Sequence, residues 1–303
     1  MTEPESQSAL SGKGLAHLAV VYVVWGSTYL AIRLAVRGET GFPPFALGTV
    51  RVLIAGGLLM VWAAWRGMRI RLDRSELLVL AAAGLLMWPG ANGLVNWAEQ
   101  RADSSYAALL VGSMPIWTAA IESILNRRWP SWRLALSLLV GFAGLGVLTA
   151  PQLAVADGAD ALSILMLLVA PITWAAGSIL QLRRPVRTTP IVSAAYLHLF
   201  GGIGFLALFL LTGERLPSPS LFAWGALAYL IVAGSIMAFT SFVRTLRLLP
   251  LPLVMTYAYV NPAIAVILGW LILRERMTLP VIGGMALILA GVYGVFRTKH
   301  GDA

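Results

Sequence analysis

Long apolar stretches, separated by short polar turns, occupy almost the whole chain. A membrane-spanning helix requires about 20 mostly apolar residues, and ten stretches reach that length, at roughly 16–36, 44–65, 76–98, 104–126, 132–150, 160–181, 190–212, 220–243, 252–273 and 279–296. Proline turns such as Pro43-Pro44 and Pro250-Leu251-Pro252 lie between them, where helices must end. The pattern predicts an all-α integral membrane protein with ten transmembrane helices.

The composition indicates that lipid is the main solvent of this chain. Of its 303 residues, 59% are hydrophobic and only 12% are charged, whereas a soluble domain carries roughly 25% charged residues. The sequence has no cysteine, and its three histidines are widely separated, so we expect neither a thiolate site nor a metal cluster. We find no motif for a cofactor.

The basic residues are distributed unevenly between the two ends of the predicted helices. With a cytoplasmic N-terminus, 15 of the 22 Lys and Arg residues fall in cytoplasmic segments and five in outer loops. Because Lys and Arg accumulate on the cytoplasmic side, residues 1–14 and 299–303 are predicted to be cytoplasmic tails. The net charge of +9 then reflects topology and contact with anionic lipid headgroups, and we expect no nucleic-acid partner.

The two halves of the chain resemble each other weakly. A shift of 147 residues places Pro115 on Pro262 and Gly144 on Gly291, and a shift of 149 places Trp25 on Trp174. This predicts two five-helix repeats, 15–150 and 151–298. Five is an odd number, so the second repeat would enter the membrane inverted, with a binding site near the midplane between the repeats.

Several short stretches are specific enough to indicate a protein family. They are Trp25-Gly26-Ser27-Thr28-Tyr29, Asn96-Trp97-Ala98-Glu99, Pro115, Arg274-Glu275-Arg276 and Gly283-Gly284. In these stretches the chain resembles the EamA-type drug/metabolite transporters, from about residue 16 to residue 297. The resemblance implies export of small metabolites, amino acids among them, across the bacterial inner membrane. It also implies a cavity framed by helices three, four, eight and nine, with helices one and six beside them.

Aromatic, amide and thioether side chains within the apolar segments are candidates for the substrate-binding cavity. Aromatic faces suit apolar or zwitterionic solutes, and amides in hydrocarbon must turn toward the interior. The same side chains could instead pack helices together. The candidate residues are Trp25, Tyr29, Trp88, Asn92, Asn96, Met114, Trp117, Trp174, Phe239, Tyr257 and Asn261.

Prolines and isolated charges supply the remaining candidates. Pro115 and Pro262 would kink helices four and nine and act as hinges. Glu122 is either a proton-coupling carboxylate or a side chain that reaches water near a helix end. Arg51 either forms an ion pair with Glu99 or meets a substrate carboxylate. Glycines in the last helix of each half predict close helix packing, within one chain or at a dimer face.

The sequence also indicates which classes of protein function are disfavoured. The sequence has no catalytic or phosphate-loop motif, so we expect neither an enzyme nor an ATP-driven pump, and a channel or receptor is disfavoured. The deep segments contain no lysine, which disfavours phosphate-bearing solutes. The sequence therefore predicts a small-molecule exporter in the lipid bilayer, for amino acids first and for broad drug efflux as the alternative. A monomer and a homodimer both stay open.

Overall fold

The computed structural model describes residues 11–36, 40–99, 101–102, 104–154, 158–273 and 277–298. The predicted tail 299–303, most of the tail 1–14 and the Arg274-Glu275-Arg276 turn lie outside these residues. The helices are α1 Gly12–Val36, α2 Pro44–Trp65, α3 Arg74–Met87, α4 Leu94–Ala98, α5 Ser104–Val111, α6 Met114–Asn126, α7 Trp132–Leu153, α8 Ala161–Arg183, α9 Pro190–Thr212, α10 Leu221–Tyr229, α11 Thr240–Leu248, α12 Leu251–Met255, α13 Tyr257–Leu273 and α14 Leu279–Thr298.

Nine helical stretches in the described part of the chain, some of them made of consecutive shorter helices, are long and apolar enough to cross a membrane. Helix α1, with 25 residues, corresponds to the first predicted segment but is not one of these nine, so the count of ten stays a prediction. Large apolar side chains such as Val61, Leu165 and Leu289 point away from the protein, exposed by 68%, 56% and 62%. Such surfaces require lipid, and the chain is an integral membrane protein.

Polar side chains and prolines fix where several helices begin. Asp160 accepts a 2.7 Å hydrogen bond from the backbone nitrogen of Ser163 at the start of α8. Ser220 accepts similarly from Ala223 at the start of α10. Pro44 occupies the first turn of α2, where its missing N–H is not needed. These caps satisfy backbone donors that have no partner inside the helix.

Four of the predicted segments are interrupted helices. In the third, a π-helical segment, π1 (Trp88–Gly93), joins α3 to α4; in the eighth, π2 (Leu230–Phe239) joins α10 to α11. The fourth segment breaks between α5 and α6, and the ninth breaks between α12 and α13. π turns frequently occur at functional sites, and these are the four segments that the family resemblance places around the cavity.

The last helices of the two halves, α7 and α14, pack along a seam of glycines. A methyl group added at Gly144 would lie 2.6 Å from the backbone nitrogen of Ile288, and one at Gly291 would lie 2.5 Å from that of Gly141. Only hydrogen atoms fit at these contacts. The small residues are therefore used for packing within one chain, and this seam is not a free dimer face.

Helices α2 and α9 run antiparallel and are joined at both ends. At one end, the hydroxyl of Tyr196 donates to the carbonyl oxygen of Ile70 at 2.8 Å. At the other, the carboxylate of Glu214 accepts from the backbone nitrogens of Phe45 and Ala46 at 3.0 and 2.9 Å. We call the end of the bundle that contains Ile70 end A, and the end that contains Phe45 end B.

End A also carries a network of charged and polar groups. The guanidinium of Arg69 lies 2.8 Å from the carboxylate of Glu76, which accepts from the backbone nitrogen of Arg187 at 3.0 Å. Arg247, at the end of α11, donates to the carbonyl oxygen of Thr188 at 2.6 Å. The network joins the turn after α2, the turn after α8 and the end of α11.

Candidate functional site

Seven ring side chains meet inside the helix bundle, and each is at most 9% exposed. We call this group the central aromatic cluster; its members are Trp25, Trp88, Trp174, His198, Phe239, Phe242 and Tyr257. They come from α1, π1, α8, α9, π2, α11 and α13, so both halves of the chain contribute. The cluster includes five of the predicted cavity residues, and the remaining two members are His198 and Phe242.

Phe239 lies at the centre of the cluster. Its ring centroid is 5.1 Å from that of Trp88, 4.5 Å from that of His198 and 6.4 Å from that of Trp174. The rings of Trp25 and Trp174, matched in the sequence repeat, lie 5.8 Å apart and nearly perpendicular. Edge-to-face contacts of this kind stabilise aromatic pairs and hold the cluster as one packed unit.

Several polar atoms of the cluster have no partner in the described part of the chain. They are Nε1 of Trp88, Nε1 of Trp174 and Nε2 of His198. By contrast, Nε1 of Trp25 donates to the carbonyl oxygen of Gly234 at 3.0 Å. The two indole nitrogens are donors, whereas Nε2 of His198 is an acceptor, because Nδ1 of that ring donates to the carbonyl oxygen of Ala194 at 2.7 Å. Burying such groups without a partner is costly, and most buried polar atoms in proteins have one. The cluster therefore has unused capacity to bind polar groups.

Arg51 adjoins the cluster but does not form the ion pair with Glu99 that was one of its two predicted roles. Its Nε donates to the hydroxyl of Ser235 in π2 at 2.9 Å, and its guanidinium lies 5.6 Å from the ring of Trp88. The ion pairs between described residues join Arg69 to Asp73 and Glu76. Arg51 is only 9% exposed and has no carboxylate partner among them.

A cavity of about 460 Å³ opens at end B. Phe42, Leu47, Asn96 and Glu99 lie in its wall together with Ile32, Val36, Gly41, Pro43, Pro44, Glu214 and Arg215. The carboxylate of Glu99, directly after α4, is open to the cavity, but the surrounding protein removes much of its solvent and raises its pKa to about 7. This places Glu99 in the wall of a solute-sized space.

A second cavity, of about 550 Å³, opens at end A. It is lined by Glu122, Ser123, Asn126, Arg128 and Trp129, with Ala119, Pro130, Leu134 and Pro252. Asn126 accepts a hydrogen bond from Arg183, which ties this cavity to the polar end of the bundle. Glu122 thus faces a space near the helix ends rather than the central aromatic cluster.

The predicted amide residues occupy different places. Asn92 donates to the carbonyl oxygen of Met87 at 3.1 Å, within its own helical segment. Asn96 lies in the wall of the end B cavity and is 3.4 Å from the carbonyl oxygen of Pro44. Asn261 is 3% exposed, inside α13. Asn96 is therefore the predicted amide that faces a cavity.

Of the other predicted residues, Tyr257 belongs to the central aromatic cluster, and Met114 and Trp117 belong to the fourth segment. The hydroxyl of Tyr257 donates to the sulfur of Met114 at 3.1 Å, which joins α13 to α6. Nε1 of Trp117 donates to the hydroxyl of Ser113 at 3.0 Å, so Trp117 stabilises the break before its own helix. The backbone of Tyr29 belongs to α1, but its side chain lies outside the described residues.

The two predicted hinge prolines are not equivalent. Pro115 occupies the first turn of α6, where a proline is tolerated because its N–H would have no partner. Pro262 lies inside α13, where it removes a backbone hydrogen bond. The fourth segment is thus interrupted before its proline, at Gly112 and Ser113, rather than kinked by it.

A bundle of membrane-spanning helices with a cavity at each end is typical of a membrane transport protein. The family model described as the EamA-like transporter family matches residues 12–150 and again 161–297. The chain belongs to this family and is a transporter rather than an enzyme.

Relatives with the same architecture occur in several bacteria. The chain is 33% identical to the "Uncharacterized inner membrane transporter YedA" of Escherichia coli K12 over 258 residues, 83% of this chain and 80% of that protein. It is 24% identical to the "Uncharacterized transporter YoaV" of Bacillus subtilis, over 90% of this chain and 93% of that protein. A crystal structure with 19% identity matches 96% of this chain and 98% of its own with a TM-score of 0.81, which shows the shared fold.

Proposed function

We propose that the protein exports small metabolites, amino acids above all, across the bacterial inner membrane by alternating access. The observation that carries this proposal is the position of the central aromatic cluster. It is buried and packed, and it lies in a bundle that has one cavity at end A and another at end B. A solute bound at the cluster would be released when helices on one side separate. End A, with its arginines, would be the cytoplasmic end.

The pattern of helix contacts supports an arrangement of two inverted repeats, 15–150 and 151–298. In such an arrangement the first segment corresponds to the sixth, the third to the eighth and the fourth to the ninth. The contacts of α1 with α13 then correspond to those of α8 with α6. The contacts of α3 with α8 correspond to those of α1 with α10 and α11. Helices α7 and α14 pair with each other, as do α2 and α9. Exchanging each segment with the one five places later leaves this set of contacts unchanged, as expected for repeats around a shared midplane site.

Amino acids fit the chemistry of the centre. The rings provide apolar surface, and the N–H groups of Trp88 and Trp174, which have no partner among the described residues, can each bind one acceptor. Arg51 adds one positive charge, which suits a zwitterion or a monoanion better than a phosphate. The size of the aromatic surface favours a second candidate function, broad efflux of lipophilic solutes.

Counterflow in proteoliposomes tests the proposal. Vesicles preloaded with a mixed amino-acid pool should take up a labelled amino acid faster than empty liposomes. Trp174→Ala should abolish this uptake, whereas Trp65→Ala, at a residue that is 75% exposed and lines neither cavity, should not. Uptake of a lipophilic cation with no uptake of any amino acid would favour the second candidate. No exchange of either kind, by folded protein, would contradict the proposed transport.

A further inference from the structure

Arg51 is a buried cation that forms no ion pair with a carboxylate in the part of the chain that the structure describes. The side chain is nine-tenths buried, and among the described residues its recorded polar contact is with the neutral hydroxyl of Ser235. Burial of a guanidinium without a counter-ion is unfavourable. Intramembrane cations that persist in this form mark binding sites or transport pathways.

Arg51 lies one helical turn deeper in the bundle than the wall of the end B cavity. Leu47 and Ile32 line the cavity; Arg51 follows Leu47 by one helical turn, and Thr28 precedes Ile32 by one turn. Each turn adds about 5 Å of depth. A methyl group added at Gly234 would lie 3.0 Å from a terminal guanidinium nitrogen of Arg51 and 3.1 Å from the methyl of Thr28. Arg51, Thr28 and Gly234 therefore meet one turn below the cavity wall.

One indole ring with an N–H unsatisfied among the described residues lies beside Arg51, and a second packs against the first. Its guanidinium is over the ring of Trp88, and the centroids of Trp88 and Trp174 are 6.3 Å apart. Nε1 of both indoles is buried and unpaired in the described part of the chain, and an indole nitrogen can only donate. Any group that bonded to these atoms would have to carry hydrogen-bond acceptors.

Resting on the transport function proposed above, we propose that Arg51, Trp88 and Trp174 form a subsite for the carboxylate group of the transported solute. A carboxylate supplies two acceptor oxygens and one negative charge, which matches a single guanidinium and neutral N–H donors. A phosphate would carry a second charge with no cation to meet it. The aromatic rings beyond the subsite would hold the apolar part of the solute.

A pair of probes of equal size tests the subsite. Purified protein in detergent is titrated with 3-phenylpropanoate and with 3-phenylpropanamide, and the melting temperature is recorded. The carboxylate should raise it and the amide should not. Arg51→Gln should weaken the carboxylate effect by roughly tenfold or more in apparent affinity, and Arg71→Gln, at an exposed arginine, should leave it unchanged. If Arg51→Gln does not fold, Trp88→Phe and Trp174→Phe, which remove only the N–H donors, serve in its place and should also weaken binding.

The outcomes separate the subsite from the transport function. Equal stabilisation by both probes, stabilisation by neither, or unchanged carboxylate binding in all three variants would overturn the subsite. If labelled amino acids still exchange in those cases, the transport proposal stands without it. Carboxylate-selective binding that Arg51→Gln removes, with no exchange of any solute, would support the subsite and overturn the transport proposal.

Discussion

The indole Nε1 of Trp25 donates a 3.0 Å hydrogen bond to the carbonyl oxygen of Gly234. This bond joins α1 to π2, where the wider helical turn shifts backbone carbonyls out of the usual α-helical pairing. The same indole ring packs on Phe242 at 5.3 Å and on Tyr257 at 4.9 Å. The side chain of Trp25 therefore connects α1 to π2, α11 and α13.

Replacing Trp25 by Phe should lower stability by about 0.5–1.5 kcal/mol, because the buried hydrogen bond to the carbonyl oxygen of Gly234 would be lost. The ring contacts would largely remain. Thermal unfolding in detergent measures the effect, and Trp62→Phe, at a residue that is half exposed, is the matched control. Equal melting temperatures for the two variants would show that the bond contributes nothing.

In the seam between α7 and α14, two glycine-to-alanine substitutions should differ in their effect on stability. A methyl group at Gly144 would meet backbone atoms of Ile288 and Gly284 at 2.6 and 2.9 Å, whereas one at Gly146 has open space within 4 Å. Gly144→Ala should therefore destabilise the protein by about 1–3 kcal/mol through overpacking, and Gly146→Ala should be neutral or slightly stabilising. If both alanines unfold at the wild-type temperature, the seam is looser than described.

Glu214 should act as an external cap for α2. Its carboxylate accepts from Phe45 and Ala46, two donors that lack partners in the first turn. Glu214→Ala should lower stability by about 1–2 kcal/mol. Glu214→Gln retains one acceptor oxygen and should fall between the alanine variant and the wild type in thermal unfolding. Alanine and glutamine variants of equal stability would argue against the cap.

Glu99 should make stability depend on pH. Its folded-state pKa is raised to about 7 by loss of solvent, compared with about 4.3 in an unfolded chain. As pH rises from 4 to 7, the unfolded state releases its proton first, so the wild type loses stability relative to Glu99→Gln. The two proteins should unfold together near pH 4 and differ most above pH 7. A difference that does not change with pH would exclude this role.

Much of the fold could be predicted from the sequence because the bilayer imposes a length and a composition on each span. The helix starts at Pro44 and Pro190 follow from the missing proline N–H. The contact between the rings of Trp25 and Trp174 agrees with their alignment in the predicted repeat, which stays a prediction. Family membership was also predicted correctly, since the motif residues of α1 and α4 are specific. The amino-acid substrate stays a prediction.

Other features depend on contacts that sequence spacing does not encode. Phe242 and Ser235 were not among the predicted site residues, although Phe242 lies only three positions after Phe239. The π segments change the helical period locally, and the spacing of residues in the sequence does not reveal that change. Arg51 could be placed within the second segment, but its hydrogen-bond partner could not be predicted. Glu99 is near Arg51 in the predicted topology. The observed partner is Ser235, which reaches Arg51 because π2 packs beside α2. Pro115 could not be recognised as a helix start without knowledge of the break at Gly112.

Because α2 and α9 are fastened at both ends, their relative motion is restricted in a particular direction. If one helix slid lengthwise along the other, the bond between Tyr196 and Ile70 and the bonds from Glu214 to Phe45 and Ala46 would break together. A rotation of the pair as one body would break none of them. In the proposed transport cycle, α2 and α9 would therefore move as one rigid body, and the other helices would tilt against it while the length of the pair across the membrane stays fixed.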